Sequence, residues 1–272
     1  MPKIYAIWRV FYGEDTIYNS IMSLLPYVDK VIVYYYNKPW CGVDKVTYNG
    51  YECTIPSPID RSLDICKSIP NIEVIEDNFP HPSGQTAHLI NKTLSLFDRP
   101  NYIAFMNSDF VLFDGQQFVD RACQETAPVT STRPIQTWKY PNYVFPIRQD
   151  RMSVLTYNLA HESLKEIEPT MGEKPYFEGG RYLDDVFCFD LGFAISPTAM
   201  WYKYLLRLGV HKEITDDSPI SGWYHNIWLP WHPTSLPAGS PQYGWCKGEP
   251  NLGDPYKIPT NGLPIVLRSV YE

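Results

Sequence analysis

No stretch of about 18 apolar residues occurs in the chain, so the sequence offers no membrane-spanning helix. Basic residues are in the minority, 23 Lys and Arg against 30 Asp and Glu, for a formal net charge of −7. That balance disfavours a strongly basic nucleic-acid binder, although it leaves room for a local basic patch. Cysteine is sparse: six in 272 residues, none in a C-x-x-C pair. Such a density is not a disulfide framework, and we read it as the reduced, mostly buried thiols of a cytoplasmic protein. The N-terminus (MPKIYAIW) lacks a small-residue cleavage pattern and reads as a strand, not a signal peptide. Also missing are G-x-x-x-x-G-K-[ST], G-x-S-x-G, H-E-x-x-H, any zinc spacing and, after the first strand, a dinucleotide fingerprint.

What is present is a chain that folds: 44% hydrophobic and only 19% charged, long enough for one large α/β domain. Aromatic residues reach 15%, with 21 Tyr and 8 Trp. Flat rings with polar edges suit a Tyr- and Trp-rich core, and equally a surface that stacks on sugars and bases.

The first half alternates strands and helices. Residues 3–10, 29–36 (DKVIVYYY), 71–76 (NIEVIE) and 102–112 (YIAFMNSDFVL) read as strands, apolar enough for the middle of a parallel sheet. Helices are predicted from Ile17 to Leu25, over 60–68 and over 84–96, with 37–58 as an inserted loop or ribbon. This is the order of a doubly wound, mainly parallel sheet with helices on both faces, which binds ligands at the carboxyl ends of its strands. The second half reads as strand-like pieces over 129–155 broken by Pro134, Pro141 and Pro146, a strand over 185–196 and a helix over 197–208. A short helix over 223–229 precedes a tail in which 13 of the 35 residues 230–264 are Pro or Gly. We expect one domain over 1–272, with 1–125 binding a nucleotide sugar and 126–272 forming an acceptor half with an irregular Pro- and aromatic-rich C-terminal region.

The most informative block is 74–113. A strand leads through Asn78 to Gly84-x-x-Ala87-x-x-x-Asn91, and a further apolar strand ends in Asn107-Ser108-Asp109. A carboxylate at that strand end faces the ligand crevice, where it can hold Mg²⁺ or Mn²⁺ together with substrate phosphates. The block resembles the nucleotide-sugar half of a GT-A glycosyltransferase, most like family 2, over roughly residues 1–115. Asn107 and Asp109 stand at the family's D-x-D positions, with Asn107 replacing the first Asp. The resemblance implies a GT-A-like fold and a metal-assisted transfer of a sugar from a UDP- or GDP-linked donor to the hydroxyl of a glycan or other acceptor. It implies Mn²⁺ or Mg²⁺ on Asp109 and donor binding by Arg9, Tyr36, Asn37, Gly84, Asn91 and Asn107. A C-terminal His on the metal would be His225, with His232 as runner-up. The base of an inverting reaction would be Asp185 or Asp217, each in an acidic pair.

Each assignment has a plainer counterpart: Asp109 as a turn carboxylate, Arg9 as a surface ion pair, the acidic pairs as solvated loops, His225 as a packed ring. Two other functions fit the same sequence. Asn107, and Tyr36-Asn37 where the family it resembles often carries an Asp after the second strand, suit a non-catalytic nucleotide- or glycan-binding module. Transfer to a hydroxylated base in DNA would need a basic channel, against which the net charge argues.

Overall fold

The computed structural model describes residues 2–38, 43–48, 50–55, 60–77, 85–147, 154–164, 180–210, 222–234 and 253–268. In chain order these form β1 (Ile4–Val10), α1 (Ile17–Met22), β2 (Lys30–Tyr36), a hairpin of β3 (Lys45–Tyr48) and β4 (Tyr51–Thr54), α2 (Ser62–Ser68), β5 (Ile72–Asp77) and α3 (Gln85–Leu96). Next come β6 (Tyr102–Asn107), β7 (Phe110–Leu112), α4 (Gly115–Gln124), β8 (Val129–Ser131), β9 (Pro134–Trp138), β10 (Tyr140–Val144) and β11 (Leu155–Asn158). The remainder is β12 (Arg181–Tyr182), β13 (Cys188–Asp190), α5 (Pro197–Val210), a π-helical turn (Tyr224–Trp228), β14 (Tyr256–Lys257) and α6 (Ile265–Arg268).

A seven-stranded sheet runs in the order β12-β8-β11-β6-β1-β2-β5. The run β6-β1-β2-β5 is wholly parallel, as the four apolar runs of the first half predict. β6, β1 and β2 are near-continuously buried because helices cover both faces, while β5 at the sheet edge is only partly buried. Tyr5, Ile7, Tyr34 and Phe105 pack with α3 and α5 on one face, while Trp8, Val33 and Met106 pack with α1, α2 and α4 on the other. Residues after 125 complete the sheet through β8, β11 and β12, with β11 antiparallel to β6.

The predicted strand over 102–112 is in fact two. β6 stops at Asn107, residues 108–109 turn, and β7 enters a second, five-stranded sheet ordered β14-β10-β9-β13-β7. The predicted strand over 185–196 is likewise only Cys188–Asp190, because the Asp190 carboxylate accepts the Gly192 N–H at 2.7 Å and closes a turn there. The helix predicted over 223–229 is the π-helical turn, and 37–58 holds the β3–β4 hairpin.

Two buried serines, Ser20 of α1 and Ser23 just after it, join the sheets. Ser20 Oγ accepts the Trp8 indole N–H at 2.8 Å and donates to the Phe110 carbonyl, and Ser23 Oγ accepts the Leu112 N–H at 3.2 Å. Ser20→Ala strands the buried indole N–H and the Phe110 carbonyl, and an unmet buried polar group costs about 1–3 kcal/mol. Urea unfolding of that variant should show a loss in this range, whereas a loss under about 0.5 kcal/mol would mean that Ser20 does not tie the sheets.

Candidate functional site

Side chains of a strand alternate faces, so Arg9 lies with Tyr5 and Ile7, opposite to Trp8. Arg9 is paired with Asn107 in the β1–β6 register, and its Nη2 donates to Asn107 Oδ1 at 3.3 Å. Tyr36, at the end of β2, extends from the same face. Together the carboxyl ends of β1, β2 and β6 form the floor of a cavity of about 290 Å³. Gln136 of β9 and Asp190 of β13 line it from the second sheet, and Ala199, Lys203, Leu206 and Arg207 of α5 line it from above. Of the four loops that a doubly wound sheet would place at its rim, those after Val10, Tyr36 and Met106 border the cavity with their own or adjoining residues.

The turn at 108–109 puts Asp109 into this space. Its carbonyl accepts the Leu191 N–H at 2.8 Å, and its carboxylate accepts a bond from Lys203 Nζ at 3.0 Å. Lys203 also donates to the Gly192 carbonyl at 3.0 Å. The pair is partly buried, with side chains 23% and 34% exposed for Asp109 and Lys203. Gly192 is a glycine for space. A Cβ there would fall 2.4 Å from Lys203 Nζ and 2.8 Å from both Asp109 Oδ2 and Asp190 Oδ1. Asp190 is buried, and its backbone is held by Gln136 Nε2 at 3.1 Å and Thr137 Oγ1 at 2.8 Å, both donating to its carbonyl.

Two features of the floor are costly for the folded state alone. The Tyr36 hydroxyl is buried with no hydrogen-bond partner among the described residues. Burial first, then the neighbouring Asp77 carboxylate, push its phenol pKa up, while Arg9 pulls it down, so the group stays neutral. Tyr12 holds φ at 51°, a left-handed conformation uncommon outside glycine, and stacks on Tyr202 with ring centroids 5.1 Å apart. The loop is fixed by Asp60, whose Oδ2 accepts the N–H groups of Gly13 at 2.9 Å and Glu14 at 3.0 Å. Backbone strain of this kind collects at ligand sites.

The structure therefore brings Arg9, Tyr36, Asn107 and Asp109 together, and leaves other predicted residues elsewhere. Asp185 does not line the cavity; it is half-exposed and pairs with Arg121 Nε at 2.8 Å. His225 is exposed and sits among rings, 4.9 Å from Tyr224 and 5.5 Å from Trp201 between centroids, away from the cavity lining. His232 is exposed and meets Thr234 Oγ1 at 2.9 Å. Asn37 is exposed after β2, and Asn91 is half-buried on α3; neither lines the cavity. Asn78, Gly84 and Asp217 lie outside the described residues.

Sequence reasoning missed Asp190, Lys203 and Arg207. Asp190 carries the signal used for Asp109, a carboxylate ending an apolar strand. Lys203 and Arg207 are four apart on a helix whose other residues are largely apolar, a spacing that puts both on one face.

A divalent ion on Asp109, which the resemblance implies, does not fit this donor set. The carboxylate is held by an ammonium, the Asn107 oxygen is held by Arg9, and His225 is not at the cavity. Among the described residues no group of three or more His, Cys, Asp or Glu is placed to hold a metal.

No protein-family model matches the chain, and no curated protein sequence matches it. Several solved structures are similar to it at low identity. S. aureus TarS is 13% identical over 81% of this chain and 69% of its own, with a TM-score of 0.41, and has also been solved with UDP-GlcNAc. HddC from Yersinia pseudotuberculosis is 10% identical over 74% of this chain and 97% of its own, with a TM-score of 0.42. Glucosyl-3-phosphoglycerate synthase from Mycobacterium tuberculosis, solved with Mn²⁺ and UDP-glucose, is 14% identical over 48% of this chain and 43% of its own, with a TM-score of 0.31. The reading of the site rests on its own residues.

Removing the unsatisfied Tyr36 hydroxyl relieves a desolvation cost of about 1–3 kcal/mol. Tyr36→Phe should therefore unfold at higher urea concentration than the parent. Destabilisation by more than about 1 kcal/mol would show that the hydroxyl is already satisfied within the protein.

Proposed function

We propose that the cavity binds a nucleoside diphosphate sugar, UDP- or GDP-linked, and that the protein transfers the sugar to a hydroxyl of a glycan or another acceptor. The observation that supports this most is the composition of the cavity. Three cations, Arg9, Lys203 and Arg207, face two carboxylates, Asp109 and Asp190, at the carboxyl ends of parallel strands. The formal balance is +1, which suits a diphosphate, and guanidinium forks match phosphate oxygens. The buried Tyr36 hydroxyl can donate to such a ligand.

In the transfer, the acceptor oxygen bonds to the anomeric carbon, the bond to the diphosphate breaks, and the acceptor's proton leaves to a base. Positive groups placed where the leaving diphosphate gains charge are the main device. Asp190 lines the cavity and takes the base role for an inverting reaction, with Asp217 as the sequence-derived alternative. The metal at Asp109 has no part in this reading, since Lys203 holds that carboxylate.

A thermal-shift screen of UDP- and GDP-sugars tests the proposal. A ligand at about 100 times its Kd adds about 2.7 kcal/mol, a shift easily seen. One nucleotide sugar should raise the unfolding midpoint and be slowly hydrolysed, and Arg9→Ala should lose the shift. If no nucleotide sugar shifts the midpoint, the donor site is wrong. Binding without any hydrolysis or transfer to screened acceptors would make the protein a nucleotide-sugar-binding module.

A further inference from the structure

We infer that Lys203 stands in the place of a divalent ion, so that the cavity holds the donor's diphosphate with the protein's own cations and without a metal. The inference rests on the donor-site reading above.

The position is the first argument. Asp109 is the carboxylate that ends the β6 apolar run, where a metal ligand would be sought, and the charge that meets it is the Lys203 ammonium at 3.0 Å. The second anchor at the Gly192 carbonyl, also 3.0 Å away, fixes that ammonium rather than leaving it on a flexible stem. An ammonium has three N–H donors, and these two bonds leave one for a ligand oxygen.

The space is the second argument. Gly192 leaves unoccupied the point that lies within 3 Å of Lys203 Nζ and of both carboxylates. Any larger residue would displace the ammonium. A side chain that merely packed against solvent would not require this.

Charge is the third. A hard divalent ion binds through several anionic or carbonyl oxygens. The neutral Asn107 oxygen accepts from Arg9, and Asp109 accepts from Lys203. Adding a divalent ion to the cavity would raise its formal balance from +1 to +3 beside an ammonium already seated. A nucleotide sugar's diphosphate brings two negative charges, so the residues alone leave a balance of −1 and an added divalent ion would leave +1; neutralising the diphosphate to within one charge therefore requires no metal. Arg207, one turn beyond Lys203 on α5, and Arg9 across the floor flank it from two sides.

The test is calorimetric titration of UDP and GDP into the whole chain, once in excess EDTA and once in excess Mn²⁺, with Lys203→Ala, Lys203→Arg and Gly192→Ala alongside. The parent should bind one of the two in EDTA, and Mn²⁺, which also complexes the free nucleotide, should not tighten that binding. A lost charge-assisted bond should weaken Lys203→Ala by about tenfold or more, in EDTA and Mn²⁺ alike. Lys203→Arg should retain part of the affinity. Gly192→Ala should weaken binding while its unfolding midpoint stays close to the parent's, because the atoms that must move are side-chain ends. Nucleotide binding by the parent only in Mn²⁺ overturns the inference and leaves the donor site standing. So does Lys203→Ala binding as the parent does. The comparison of buffers needs no variant, so a Lys203→Ala chain that fails to fold does not blunt it. No binding of either nucleotide in either buffer overturns the donor site and this inference together.

Discussion

The break of one apolar run into β6 and β7 is the constraint on which the site depends. Had residues 102–112 continued as a single strand, Asp109 would have stayed in the large sheet and the second sheet would have lost its edge strand. Instead the chain turns at 108–109, and the turn is held from three directions. Ser20 takes the Phe110 carbonyl, Leu191 binds the Asp109 carbonyl, and β13 pairs with β7 from Cys188 to Asp190. The same pairing delivers Asp190 and Gly192 to the cavity. One change of strand direction thus brings two carboxylates and a glycine together from segments some 80 residues apart.

Around that turn, charges are arranged where water is scarce. Asp109 and Lys203 are each less than half exposed, so their attraction is stronger than that of a surface pair but is still shared with solvent. The floor carries a buried hydroxyl without a hydrogen-bond partner among the described residues and a tyrosine in a left-handed conformation. Neither helps the protein fold. Both are the kind of local cost that persists where a ligand completes the surroundings. The compensating stability comes from the aromatic core, where Trp138 packs against Phe145, Phe193 and Trp223 and unites the second sheet with the segment after α5.

The centre of the large sheet was legible in the sequence because strands buried on both faces are apolar throughout, and β1, β2 and β6 announce themselves that way; β5, at the sheet edge, shows apolar residues interleaved with acidic ones. That Arg9 and Asn107 line the cavity was legible for a related reason: a polar side chain at the end of such a strand has nowhere to go but the crevice. The break after Asn107 was not legible. The residues on both sides of Ser108–Asp109 are equally apolar, and what separates them is pairing with β13, nearly 80 residues on. Lys203 and Arg207 were missed because a helix of apolar spacing reads as core, and cations within it read as a solvated edge. Asp185 misled because an acidic pair beside glycines looks like a loop at a rim, whereas Arg121 and Arg133 hold Asp185 and Asp184 at the surface.

The most direct measurement of the central claim is a crystal structure of the protein with a nucleoside diphosphate bound in the presence of EDTA. The account predicts the diphosphate in the cavity at the carboxyl ends of β1, β2 and β6, with its oxygens in hydrogen-bond reach of Lys203 Nζ and a guanidinium of Arg9 or Arg207. Asp109 would remain on Lys203, and the Tyr36 hydroxyl would gain its missing partner. A nucleotide seated elsewhere on the molecule would contradict the account, as would one that enters only when a metal ion has displaced Lys203 from Asp109.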